Sequence, residues 1–97
     1  MLPFVLFLFM RAGDAPTKNV IDWGCQARLM HDGLGVWREA VVNIRYKDSP
    51  DFNQTIWRMP EPPNTPVKQQ KKNILEATRE CGVWTADFLE RRAKETK

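Results

Sequence analysis

Apolar and polar residues alternate from Ile21 to Leu29, with Ile21, Trp23, Cys25, Ala27 and Leu29 set against Asp22, Gly24, Gln26 and Arg28. Successive side chains of a strand point to opposite faces, so this spacing predicts a strand with one apolar face. His31-Asp32-Gly33 follows, with Gly35 just beyond, and an Asp-Gly pair favours a hairpin. Val36 to Lys47 alternates again, with Ala40, Val42, Ile44 and Tyr46 opposed to Val41, Asn43, Arg45 and Lys47, and its β-branched residues favour a second strand. Leu34, Trp37, Val41 and Ile44 also fit helical spacing, so a helix remains open there. Asp48-Ser49-Pro50-Asp51 is turn chemistry, and Phe52 to Met59 reads as a third strand closed by Pro60, Pro62 and Pro63.

The period then changes. Thr65 is placed to cap a helix, with Pro66 in its first turn, where proline forfeits no needed hydrogen bond. Val67, Ile74, Ala77, Thr78 and Cys81 trace one stripe, Gly82 suits a C-cap, and Thr85 can start a second helix carrying Trp84, Phe88 and Leu89. The expected fold is a single α+β domain over residues 1–97: a three- to four-stranded antiparallel meander (20–59) packed on one or two C-terminal helices (65–95).

Residues 1–10, MLPFVLFLFM, form an unbroken apolar run ending at Arg11. A helix spans a bilayer with roughly 20 apolar residues, so the run is too short to cross. A signal-peptide reading lacks a basic n-region, which favours a retained strand or a segment held against a partner, with Phe4, Val5, Phe7 and Phe9 as interface residues. Residues 11 to 19, with Gly13, Asp14, Ala15 and Pro16, read as a turn-rich linker.

Composition adds limits. The chain has 97 residues, 42% hydrophobic, with a formal net charge of +3, which gives one thin core and permits an acidic partner. Cys25 and Cys81 are too few for a disulfide scaffold, and with His31 as the single histidine they cannot build a metal site. Buried free thiols in a reducing compartment, and hence a cytoplasmic chain, are the expectation, with a Cys25–Cys81 disulfide open if strand and helix pack face to face. Asp48, Asp51 and Glu61 sit in turns where acidic residues serve structure. No catalytic residue, metal, cofactor or small-molecule substrate is expected.

A sheet of this size can lie against duplex DNA while helix lysines hold phosphates. Arg28, Asn43, Arg45, Lys47, Gln54 and Arg58 are expected on its polar face, and Arg, Asn and Gln read base edges. From Val36 onward the order VWREAVVNIRYKD, TIWRMPEPP, NTPVKQQKKNILEATRE and GVWTADFLERRA resembles the N-terminal arm-type DNA-binding domain of phage and integrative-element tyrosine recombinases over residues 36–92. The resemblance implies binding of duplex DNA, with Arg38, Arg45, Lys47 and Arg58 as sheet contacts and Lys71 and Lys72 on phosphates. It does not extend to a recombinase catalytic domain, so no strand cleavage is implied. The competing expectation is a structural or accessory protein, a homodimer or a subunit of a larger and possibly membrane-associated assembly, joined through the apolar N-terminus.

Overall fold

The computed structural model describes residues 11–95. They form a short 3-10 turn (Ala12–Asp14), strands β1 (Val20–Asp32), β2 (Gly35–Tyr46) and β3 (Phe52–Pro60), and one helix, α1 (Val67–Glu95). The strands make an open antiparallel sheet in the order β1-β2-β3, with α1 on one face. The architecture is therefore α+β, as expected. Residues 1–10, including the proposed interface residues Phe4, Val5, Phe7 and Phe9, lie outside the described residues.

Val36 to Lys47 resolves as strand. β2 is central and pairs on both sides, and Ala40, Val42 and Ile44 are buried against the helix. The β1–β2 hairpin turns through Gly33 and Leu34, where Asp32 Oδ1 accepts the amides of Leu34 at 2.7 Å and Gly35 at 3.2 Å. Asp here mimics a backbone turn with its own carboxylate. In β1, Trp23 and Cys25 pack on the core, but Ile21 and Leu29 are 59% and 49% exposed. Ile21 falls at a register shift between Val20 and Asp22, and Leu29 lies near the hairpin end of the strand.

The helix corrects two expectations. It does not end at Gly82; α1 runs on for 29 residues. Asn73, Ala77, Cys81, Trp84 and Phe88 are its buried positions, spaced at steps of three and four through the glycine, so continuous packing overrides the local cost of Gly. Thr65 is no cap, because its hydroxyl donates to the Pro62 carbonyl instead.

Two layers fill the interface. Val42, Ile44, Trp84 and Phe88 form the larger, with Trp23 lying 4.9 Å from the Phe88 ring centroid and Trp84 stacked on Phe88 at 4.8 Å. Ala40, Ala77 and Cys81 form the smaller, and these short side chains let helix and sheet approach closely. There Cys25 and Cys81 form a disulfide, with Cα atoms 5.3 Å apart. The expected free thiols are thereby corrected: strand and helix do pack face to face, which is the arrangement a disulfide needs.

Residues 11–19 are strapped to the same core. Trp84 Nε1 donates to the Ala12 carbonyl at 3.0 Å, Arg91 Nη1 to the Ala15 carbonyl at 2.7 Å, and the Tyr46 hydroxyl to the Pro16 carbonyl at 2.6 Å. The segment expected to be a plain linker is thus part of the fold. Among the described residues, no helix is long and apolar enough to cross a membrane.

Candidate functional site: the open face of the sheet

Helix α1 covers the face carrying Ala40, Val42 and Ile44, which leaves the alternate positions of β2 on the other face. These are Trp37, Glu39, Val41, Asn43 and Arg45. Register extends the surface sideways: Arg28 of β1 and Arg58 of β3 both lie opposite Glu39, Gln26 opposite Val41, and Asn53 opposite Asn43. Directly paired residues share a face, so three arginines, two asparagines and a glutamine share the face away from the helix, around a centre at Glu39 and Val41 that is itself buried.

Glu39 organises its centre. Only 5% exposed, it accepts Arg28 Nε at 2.9 Å and Trp37 Nε1 at 2.7 Å. Burial pushes its carboxyl pKa up, but the indole and guanidinium hydrogen bonds, with the charges of Arg28 and Arg58, outweigh that and hold it below the usual carboxylate range. The Arg58 guanidinium lies 4.1 Å from the Trp37 ring centroid, within cation–π reach. Glu39 thus fixes Arg28 and Trp37 and, through Trp37, gives Arg58 a platform.

The expected contact residues divide. Arg28, Asn43, Arg45 and Arg58 reach the open face together, and Lys47 is exposed just past the end of β2. Gln54 does not join them. It pairs with Val42 and so belongs to the helix side, because a register shift places Trp57 opposite Ala40 but Thr55 opposite Val41, making Ile56 an extra residue. One inserted residue reverses the alternation of everything beyond it. Lys71 and Lys72 are exposed on α1, which lies over the other face of the sheet. The sheet arginines and helix lysines therefore do not form one continuous surface.

Arg38 is not a surface contact. It sits on the helix side of β2, where Arg38 Nε donates to Glu61 Oε1 at 2.9 Å and Nη2 donates to Oε2. Asn73, 1% exposed, donates Nδ2 to Glu61 Oε1 at 3.0 Å and accepts Gln69 Nε2 at 2.8 Å. The Arg38 hydrogen bond holds the Glu61 carboxyl below its usual range against the opposing push of burial, and Glu61 in turn raises Arg38. Glu61 is consequently a structural anion joining sheet, proline turn and helix. Sequence reading missed this network, although Asn73 lies in line with Ala77 and Cys81 at helical spacing.

No family model, curated protein or solved structure matches this chain.

Proposed function

We propose that this protein is a non-catalytic module that binds duplex DNA across its open sheet face. One observation carries the reading: Gln26, Arg28, Asn43, Arg45 and Arg58 fall on a single face that the helix leaves uncovered. A sheet presenting Arg, Asn and Gln can place donors on phosphates and base edges at once. Of the sheet contacts that the resemblance to recombinase arm-binding domains implies, Arg45, Lys47 and Arg58 remain available to this use of the sheet and Arg38 does not. The separation of Lys71 and Lys72 from this face changes the expected footprint, which now excludes the helix lysines. The Cys25–Cys81 disulfide ties β1 to α1, so binding is to be assayed without reductant.

The test compares two charge variants by fluorescence anisotropy of a labelled duplex. Arg45→Glu with Arg58→Gln is expected to weaken binding by about a hundredfold at low salt, through lost phosphate contacts and one new repulsion. Lys71→Glu with Lys72→Glu is expected to leave it within about threefold. Equal loss in both variants would assign binding to diffuse charge, not to the sheet.

A second reading, an accessory subunit of a larger assembly, is supported by apolar side chains that α1 leaves exposed, Leu75 at 69% and Val83 at 62%, the latter beside Ile56 of β3. Loss of the assembled mass on substituting both with Ser would test it.

A further inference from the structure

β1 is the longest strand, with 13 residues, and among the described residues it pairs with β2 alone. Its outer edge therefore presents a row of backbone donors and acceptors ready to pair with another strand. Proteins protect such edges with prolines, lysines, bulges or brevity. β3, the opposite edge, has 9 residues, carries the Ile56 bulge and ends in Pro60. Between Val20 and Asp32 there is neither proline nor lysine, and the one register shift lies at its very start.

We infer that β1 pairs with β1 of a second copy, antiparallel about a two-fold axis through Cys25, joining two three-stranded sheets into one of six strands. The edge of β1 is self-complementary. With Cys25 on the axis, residues equidistant from it oppose one another. Asp22 then meets the partner's Arg28, and by symmetry this contact occurs twice, with Ile21 at the register shift lying near the partner's Leu29. Asp22 is exposed and accepts the Trp23 amide at 2.9 Å through Oδ1 alone, leaving Oδ2 for the partner, and Arg28, held by Glu39 through Nε, retains its terminal guanidinium nitrogens for a second carboxylate. Ile21 and Leu29 are the large apolar side chains that β1 leaves most exposed, so the same register that pairs the charges covers the apolar surface. Moving the axis by one residue along the strand, to Gln26, would oppose Asp22 to Met30 and lose the ion pairs.

The pairing also fixes which way the two copies face. Directly opposed residues of antiparallel strands point to the same side, so both helices lie on one side and both arginine faces on the other. The dimer stands independently of the nucleic-acid reading, although it would double that face.

Sedimentation velocity of the full, oxidised chain between about 1 and 300 µM tests the inference. The expected result is a monomer–dimer equilibrium whose dissociation constant rises about tenfold or more for Asp22→Lys, which sets like charges opposite the partner's Arg28 twice. Leu29→Glu is expected to weaken it similarly. Both positions are exposed, so the circular dichroism spectrum of each variant should match the parent, with a slightly lower melting temperature for Asp22→Lys, which faces Arg45 of β2 and gives up the Trp23 amide. A parent that stays monomeric throughout, or a dimer that neither variant weakens, would overturn the inference. A dimer that ignores duplex DNA would leave it standing and remove only the nucleic-acid reading.

Discussion

Trp37 serves Arg58 and Glu39 at once: its ring centroid lies 4.1 Å from the Arg58 guanidinium carbon, and its indole N–H reaches Glu39 Oε1 at 2.7 Å. Aromatic ring and buried carboxylate are thereby coupled on the face away from the helix. Trp37→Phe keeps a ring under Arg58 but removes the donor. The expected cost is about 1 to 2 kcal/mol, since Glu39 loses one of two strong partners while remaining buried. Urea unfolding followed by circular dichroism checks this, and a change below about 0.5 kcal/mol would mean that Arg28 suffices.

Acid should weaken the fold through Glu39 and Glu61. Both carboxyls lie below the usual carboxylate range in the folded chain, so the unfolded chain takes up protons first as pH falls. Their contribution is therefore complete above about pH 4.5 to 5 and is lost as pH drops through the folded values. Denaturation midpoints between pH 7 and pH 3 should show this fall. Glu61→Gln should flatten its share of the fall, while costing about 3 kcal/mol at pH 7 because the largely buried Arg38 is left without its anion.

Reduction should be costly. The disulfide closes a sequence separation of 56 residues, and loop-closure entropy at that length is worth about 4 kcal/mol. Cys25→Ala with Cys81→Ala, or reductant alone, is expected to lower the melting temperature by at least about 10 °C. A shift of only a few degrees would show that the aromatic layer of Trp23, Trp84 and Phe88 holds the helix to the sheet unaided.

Gly82 offers the opposite sign. It is exposed within α1, and a Cβ there would meet nothing within 4 Å. Gly82→Ala should therefore stabilise the protein by about 0.5 to 1 kcal/mol, by restricting the unfolded backbone. If the helix broke at this residue, as a C-cap glycine would require, alanine would destabilise instead.

The meander was legible from Ile21 to Met59 because alternation and turn residues agree there. Helix continuity was not, since Gly82 and Thr85 carry local stop and start signals that the buried spacing of Cys81, Trp84 and Phe88 outweighs. On the open face, Arg28, Asn43 and Arg45 followed simple parity. Gln54 failed because the Ile56 bulge is invisible to a count of alternate positions. Arg38 already shared its parity with Ala40, Val42 and Ile44, so its helix-side position was contained in the strand pattern even though the family resemblance pointed outward. The disulfide needed the three-dimensional approach of β1 and α1, which spacing along the chain does not encode.

The nucleic-acid reading meets its most direct test in the salt dependence of duplex binding. Anisotropy of a labelled random duplex titrated with the oxidised protein at about 50 and 200 mM salt should show affinity falling by a decade or more, as expected when several arginines displace counterions. Binding absent at both salts would contradict the account and leave the open face of the sheet without nucleic acid as its partner.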